Sequence, residues 1–222
     1  MEEFFIQAAY DIIEDMPKIF FVALFIGCWL GFGLTAQAAV KTNKTVVDKK
    51  IEIDSDKDGL SDRFEKILGT DPQQTDSDGD GYPDGTEVRS GYDPLDPKPK
   101  QVAKLIKVDL KTQHLWYYFG DKLMADFPIS SGIATMPTPK GEFKILDKLQ
   151  VKDYGGRGYN FSYPDTKWNL HFATGKYRYY IHGAYWHNKF GKPMSHGCVN
   201  VSYDNMEPLY WFAQVNTKVI IN

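Results

Sequence analysis

The sequence predicts a mostly β protein, in which a carboxyl-terminal β domain with one or two helices follows a small module of acidic loops and an apolar amino-terminal helix. Three observations support this fold class. Residues 103–222 contain short runs of alternating apolar and polar side chains separated by turns, residues 54–87 contain an acidic repeat, and residues 19–40 carry no charge. Apolar residues make up 42% of the chain, which is enough to form a packed core and argues against disorder.

The uncharged amino-terminal segment, Ile19–Val40, is 22 residues long and could span a bilayer. It contains Ala36-Gln37-Ala38, which matches a signal-peptidase site, and Met16 followed by a lysine resembles the start of a secretory signal. We therefore expect residues 1–40 to be a signal peptide, with Met16 as the possible true start, or an uncleaved membrane anchor. In both cases we expect export to the periplasm or cell envelope, with no other membrane contact.

The charge distribution indicates two modules with different partners. Residues 51–100 carry 14 acidic and 6 basic side chains, a net charge of −8, whereas residues 101–222 carry 9 acidic and 15 basic side chains, a net charge of +6. We expect linkers at residues 41–51 and 98–102, the second of them proline-rich. No nucleic-acid partner is expected.

The acidic module, residues 52–97, contains two copies of one loop motif. Residues 54–65 read DSDKDGLSDRFE and residues 76–87 read DSDGDGYPDGTE, and both fit D-x-D-x-D-G-x5-E. Alternating aspartates place short carboxylates around a hard cation, glycine permits the sharp turn, and the final glutamate can bind through both oxygens. The predicted Ca²⁺ ligands are Asp54, Asp56, Asp58, Asp62 and Glu65 in the first loop, and Asp76, Asp78, Asp80, Asp84 and Glu87 in the second.

The repeat extends beyond the loops, because Gly69-Thr70-Asp71-Pro72 recurs 22 residues later as Gly91-Tyr92-Asp93-Pro94. No entering helix fits before the second loop. The segment therefore resembles the thrombospondin type 3 repeats of bacterial surface proteins more than a helix-loop-helix EF-hand. That resemblance implies a short, rigid stalk that binds structural calcium. The alternative is an acidic, solvated linker.

The carboxyl-terminal domain, residues 103–222, should contain several strands and one late helix. Asp204 and Glu207 are spaced as a capping box, which would place Pro208 in the first turn of that helix. The predicted strands cover residues 105–110, 115–119, 123–127, 143–146, 168–172, 177–182 and 219–221.

The run Ser195-His196-Gly197-Cys198-Val199-Asn200 contains the only cysteine of the chain after residue 28. A catalytic cysteine needs a base and backbone N–H donors at the developing oxyanion, and a glycine turn lets neighbouring amides converge. His196 is the nearer candidate base, and His182, at the end of a predicted strand, is the other. A packed thiol, or a zinc site formed by Cys198, His196 and His182, remains open at this level.

His182-Gly183 and the Ser195–Asn200 run together resemble the signature of the YkuD-type L,D-transpeptidases. Residues 108–115 and 138–143 add two supporting segments, and the resemblance covers about residues 103–222. It implies a YkuD-like β-sandwich and a peptidoglycan L,D-transpeptidase that acts on stem peptides and needs no cofactor for catalysis.

The resemblance also implies roles for these residues. Cys198 would attack the carbonyl of the third residue of a tetrapeptide stem, expel the terminal D-alanine and form a thioester, which an amine of a second stem resolves into a 3–3 cross-link. His182, oriented by a carbonyl near Gly183, would be the base. The amides of Gly197 and Cys198 would form the oxyanion hole, and His196 and Ser195 would shape the pocket.

Other functions stay open at the level of sequence. Water in place of the amine would make the protein an L,D-carboxypeptidase, and a protein acceptor would make it a wall-protein attachment enzyme. A non-catalytic peptidoglycan-binding or adhesion protein is the alternative outside the enzymes. His187 lies in the loop over the site, and Tyr159, Phe161, Tyr163, Trp168 and Trp186 could line a substrate groove.

Overall fold

In the computed structural model, the acidic module forms two short helices, each of which begins within one of the acidic loops. The structure describes residues 52–155 and 160–222. Helix α1 spans Asp62–Leu68 and helix α2 spans Asp84–Ser90. Each ends at a glycine in the left-handed conformation, Gly69 at φ 98° and Gly91 at φ 81°, where other residues would be strained. The glycines of the repeat therefore end both helices.

The rest of the described chain is mostly β, with nine strands in two sheets and the helix α3, Tyr203–Phe212. One sheet has the order β3-β2-β1-β9-β4, and the other has the order β5-β6-β7-β8. The strands are β1 Lys104–Asp109, β2 His114–Phe119, β3 Lys122–Pro128, β4 Gly141–Lys144, β5 Asp147–Gly155, β6 Ser162–Thr174, β7 Arg178–Gly183, β8 Val199–Val201 and β9 Lys218–Ile221. The mostly β prediction is confirmed.

The second sheet differs most from the predicted strands. Strand β5 was not predicted, because its apolar residues Leu149 and Val151 face solvent and leave no buried alternation to detect. Strand β8 was also missed, since three residues give no periodicity. Strand β6 is 13 residues long and extends beyond the predicted range on both sides.

Helix α3 corrects the capping-box prediction. Ser202 occupies the N-cap position, no side chain of residues 52–155 or 160–222 caps the helix, and Asp204 lies inside the first turn. Pro208 consequently lies in the middle of the helix, where the missing N–H removes the bond to the carbonyl four residues earlier. Burial of Met206 and Leu209 holds the helix on the β domain despite that loss.

The two sheets share one core. Phe143 of β4 packs edge-on against Phe172 of β6, with ring centres 5.3 Å apart, so that the first sheet contacts the second. Ile106, Leu115 and Ile181 are fully buried in the same cluster.

The acidic module packs against the β domain. Phe64 of α1 is 8% exposed and belongs to the shared core. The Lys104 ammonium donates to the carbonyls of Arg89, at 2.9 Å, and Phe212, at 2.7 Å, which joins the end of α2 to the end of α3. The backbone of Val102 also bonds to Gly91. The resemblance implied a short, rigid stalk, and in the structure this module lies against the β domain.

The predicted signal peptide or anchor and the predicted linker 41–51 lie outside the described residues. Within residues 52–155 and 160–222, no helix is long and apolar enough to cross a bilayer.

Candidate active site

The candidate nucleophile and base come from adjacent parallel strands. In the β7–β8 register, Ile181 lies opposite Val199 and His182 lies opposite Asn200. Side chains alternate along a strand, so Ile181 and Val199 point into the core while His182 and Asn200 share the other face. Cys198 immediately precedes β8 and falls on that same face, diagonally across from His182. Parallel pairing therefore brings the two predicted residues together.

His182 is held as a neutral base. Its Nδ1 lies 2.9 Å from the Gly183 carbonyl, which can only accept, so Nδ1 carries the proton and Nε2 is free to receive one. The ring is 3% exposed, and this burial lowers the pKa of His182 to about 4. Tyr154 stacks on the imidazole with ring centres 4.4 Å apart, and its hydroxyl donates to Asn169 at 2.8 Å.

Gly183 orients His182 through its carbonyl, and its lack of a side chain also lets Tyr203 pack closely. A Cβ at this position would lie 2.4 Å from the Tyr203 ring and 2.9 Å from the Lys167 carbonyl. No larger residue fits without moving the first turn of α3. In the His182-Gly183 pair, the histidine is the candidate base and the glycine leaves room for the first residue of α3.

Cys198 is a half-buried free thiol. Burial raises its pKa to about 11, although the Tyr180 backbone N–H and the charge of Lys152 act in the opposite direction. Burial therefore favours the neutral form of both the thiol and the imidazole in the resting site.

The turn before Cys198 is braced by Ser195. The Ser195 hydroxyl donates to the Cys198 carbonyl and accepts from the Gly197 N–H at 3.1 Å. Gly197 has φ 116°, and a Cβ there would lie 2.8 Å from the Tyr179 ring. Because the Gly197 amide is already engaged, the Cys198 amide is the better candidate for the oxyanion donor. His196 is exposed and stacks on Phe161 at 4.4 Å, on the pocket wall.

The loop after β3 supports this turn. The backbone carbonyl of Ser131 accepts the backbone N–H of Ser195 at 3.0 Å, and the backbone carbonyl of Ser130 accepts the backbone N–H of Asn200 at 2.8 Å. The buried Gln113 holds the loop through both ends of its amide, donating to the Ser131 hydroxyl at 2.7 Å and accepting the Ser131 N–H at 2.9 Å. The supporting segment 108–115 therefore acts by positioning the turn.

A pocket of about 340 Å³ opens over the Cys198 thiol and the His182 imidazole. Tyr163 and Trp186 stack on its wall with ring centres 3.9 Å apart, and Phe161 also lines it. Trp168 packs on Tyr203 instead, and Tyr159 lies outside the described residues. Sequence reasoning missed Lys152 and Tyr154 of β5 and the hydrogen bond between Asn200 and His187, at 3.2 Å.

The zinc alternative finds no support in the geometry. In the described part of the chain, three or more potential metal ligands come together in two places. Both are clusters of aspartates, and neither includes Cys198.

Those two clusters are the predicted calcium loops. In the first, one carboxylate oxygen from each of Asp54, Asp56 and Asp58 lies within 4.8 Å of the others, and Asp76, Asp78 and Asp80 repeat the arrangement. Glu65 is fully buried, and among the described residues neither of its carboxylate oxygens has a hydrogen-bond partner. Burial and then the nearby aspartates raise its pKa to about 7. A hard cation fits this donor set, since it would pair an otherwise unsatisfied buried carboxylate.

The remaining predicted ligands are Glu87, which resembles Glu65, and two aspartates that are already hydrogen-bonded. Glu87, at the end of the second loop, is 5% exposed, and one of its oxygens has no hydrogen-bond partner in the part of the chain that the structure describes. Asp62 instead uses both oxygens to bind the backbone and hydroxyl of Ser55, and Asp84 binds Ser77 in the same way. These two aspartates brace the loops. Asp58 accepts the Gly85 N–H at 2.6 Å and so connects the first loop to α2.

The two-sheet fold and the Cys–His pair together define a β-domain protein with a candidate cysteine active site and an acidic repeat module. The family model of the L,D-transpeptidase catalytic domain, YkuD, matches residues 103–221, and the bacterial TSP3 repeat matches residues 54–75 and 76–97. The chain belongs to the YkuD L,D-transpeptidase family and carries two bacterial TSP3 repeats before the catalytic domain. Both resemblances seen in the sequence are confirmed.

Relatives and solved structures agree with this family. The chain is 26% identical over 134 residues to YqjB of Bacillus subtilis, covering 58% of this chain and 76% of that protein, and 28% identical over 140 residues to YkuD of Bacillus licheniformis, covering 62% and 78%. Both names assign those proteins provisionally to the L,D-transpeptidases.

Two solved structures share the fold. An L,D-transpeptidase from Mycobacterium smegmatis has a TM-score of 0.50 at 23% identity, covering 56% of this chain and 60% of that one. L,D-transpeptidase 3 from Mycobacterium tuberculosis, solved with a faropenem-derived adduct, has a TM-score of 0.51 at 17% identity, covering 56% and 62%. The match thus spans only about three fifths of those chains, and at these identities the likeness concerns the fold.

Proposed function

We propose that this protein is a peptidoglycan L,D-transpeptidase that forms 3–3 cross-links through a Cys198 thioester. The observation that carries the proposal is the placement of His182 in β7 and Cys198 immediately before β8 on the same face of the sheet, with Nε2 of the buried imidazole available to accept a proton. A cysteine nucleophile needs only such a base and an oxyanion donor.

The first half-reaction acylates the enzyme. As the Cys198 sulfur attacks the third carbonyl of the tetrapeptide stem, its proton passes to His182 Nε2, so no free thiolate is required. The Cys198 amide donates to the oxyanion. Collapse of the tetrahedral intermediate breaks the peptide bond, and His182 returns the proton to the amine of the departing D-alanine.

The second half-reaction transfers the stem. His182 takes a proton from the acceptor amine, the amine attacks the thioester, and the Cys198 sulfur leaves with the proton that His182 carries. Water as the acceptor would give an L,D-carboxypeptidase, and a protein amine would give a wall-protein attachment enzyme. A non-catalytic adhesion protein is less well supported, because binding alone needs neither the thiol nor the oriented base.

We further propose that the repeats bind calcium and that the protein works in the periplasm or cell envelope. The oxygen-only donor set and the unpartnered Glu65 suit Ca²⁺. Extracellular calcium modules bind with Kd values of about 10⁻⁴–10⁻³ M, which suits an exported protein. In place of a separate stalk, we propose a calcium-stabilised brace on the catalytic domain.

The test incubates the protein with disaccharide tetrapeptide and follows the products by mass spectrometry. We expect loss of D-alanine together with cross-linked dimers, and neither product from Cys198→Ala. Release of D-alanine without dimers would identify the carboxypeptidase. Undiminished product from Cys198→Ala would overturn the thioester proposal.

A further inference from the structure

The active-site pocket has a cationic wall formed by Lys152 of β5. The Lys152 ammonium lies 5.2 Å from the ring centre of Tyr154 and 5.6 Å from that of Tyr180. Tyr154 also stacks on His182, so one aromatic ring contacts both the ammonium and the candidate base. Lys152 and Tyr154 are two residues apart on β5, so they share one face of the strand, and both line the pocket.

Within residues 52–155 and 160–222, no carboxylate forms an ion pair with Lys152. The nearby Arg178 differs, since it lies 2.6 Å from the Asp147 carboxylate. Asp153 also lines the pocket but accepts the Asp165 backbone N–H at 2.8 Å. The positive charge of Lys152 acts on both reacting groups. It favours the thiolate of Cys198 and disfavours the imidazolium of His182, and each effect lowers the pKa of the group concerned.

A second polar group on this wall lacks a partner. Tyr180 is 1% exposed, and within the described residues its hydroxyl makes no hydrogen bond. Buried hydroxyls are normally paired, because an unpaired one loses its bonds to water without replacement. A ligand that brings an acceptor to this wall would satisfy it.

We propose that Lys152, together with the Tyr180 hydroxyl, binds a carboxylate of the donor stem peptide and thereby selects the donor. This inference rests on the proposed function. An ammonium and a hydroxyl supply donors for the two oxygens of a carboxylate. The terminal carboxylate of the leaving residue lies one residue, about 3.5 Å of chain, beyond the scissile carbonyl. A side-chain carboxylate of the third residue is the other source of the same chemistry.

The first experiment needs no stem peptide. Cys198 of the full chain is alkylated with anionic iodoacetate or neutral iodoacetamide, and the Cys198 peptide is quantified by mass spectrometry. In both reactions the sulfur forms a bond to carbon, iodide leaves and the thiol proton goes to solvent. We expect Lys152→Gln to lower the iodoacetate-to-iodoacetamide rate ratio by about 3- to 10-fold. Lys144→Gln, an equal charge change on exposed β4 of the other sheet, should leave the ratio unchanged.

The second experiment compares donor stems in the cross-linking assay. One donor has both carboxylates free, one has a terminal amide, and one has a side-chain amide. For the free donor we expect Lys152→Gln and Tyr180→Phe to raise KM about 5- to 20-fold, with a smaller change in kcat. The amide that abolishes this difference identifies the bound carboxylate.

The two experiments separate the proposals. An unchanged alkylation ratio in Lys152→Gln would overturn the anion site, and so would equal KM effects on all three donors. A changed ratio without turnover of any donor would overturn the proposed function while supporting the anion site.

Discussion

Phe64 of the first repeat lies edge-on against Tyr117 of β2, with ring centres 6.3 Å apart and planes at 66°. Tyr117 is 1% exposed and packs in turn on Phe212 at 4.8 Å. Phe64 directly precedes Glu65, the final residue of the first predicted calcium loop. A predicted metal ligand is therefore adjacent in sequence to a residue of the catalytic-domain core, and ion binding should be linked to the stability of that domain.

Removal of calcium should destabilise the catalytic domain along with the repeats. An ion present at 100 times its Kd adds about 2.7 kcal/mol per site to the free energy of unfolding. We expect chelation to lower Tm and to speed hydrogen exchange in β2 as well as in residues 52–97. Glu65→Gln should reduce the calcium-dependent gain in Tm. Unchanged exchange in β2 after chelation would contradict the linkage.

Truncation of Phe64 should weaken the same connection. Phe64→Ala removes a buried ring from the shared core, and we expect a loss of about 3 kcal/mol, measured by denaturant unfolding in saturating calcium. Lys66→Ala, on the exposed face of α1, is the control and should change stability by less than about 0.5 kcal/mol. Equal losses in the two variants would mean that Phe64 does not join the modules.

The pH dependence of Cys198 reactivity should reveal the neutral resting pair. Because burial raises the thiol pKa to about 11, the thiolate fraction should rise about tenfold per pH unit across the neutral and moderately alkaline range. Iodoacetamide alkylation between pH 6 and 10 should follow that slope, whereas the denatured protein should level off near a pKa of about 8.5. A plateau near neutral pH in the folded protein would indicate a preformed ion pair instead.

Tyr154 should act as a positioning residue for His182. Tyr154→Phe keeps the stacked ring but loses the hydrogen bond to Asn169, and we expect kcat to fall about 5- to 10-fold with KM nearly unchanged. Tyr154→Leu also loses the stacking and should reduce kcat further. Steady-state kinetics of both variants test this, with Tm measured alongside. A fall in Tm that accounts for the whole loss of activity would argue for a structural role alone.

Contiguous motifs in the sequence were enough to indicate the families of both modules and most of the candidate site residues. The two D-x-D-x-D-G loops and the Ser195–Asn200 run are local, so the residues that share a role are close in the chain, and residue types with spacing were enough to indicate both families. The mostly β class was also predictable, because most strands of the first sheet alternate buried and exposed residues. The capping box failed because Ser202, two residues before Asp204, takes the N-cap position.

Only the tertiary structure decided what surrounds those motifs. Lys152 and Tyr154 reach the site through the pairing of β5 with β6, and exposed β5 shows no periodicity that would reveal it. Gln113 holds Ser131, 18 residues away, through a contact that no local pattern records. The acidic module lies on the domain because Phe64 is buried there, although the composition of residues 98–102 indicated a separating linker. Long-range packing depends on which surfaces meet in space, and this information is not carried by neighbouring residues.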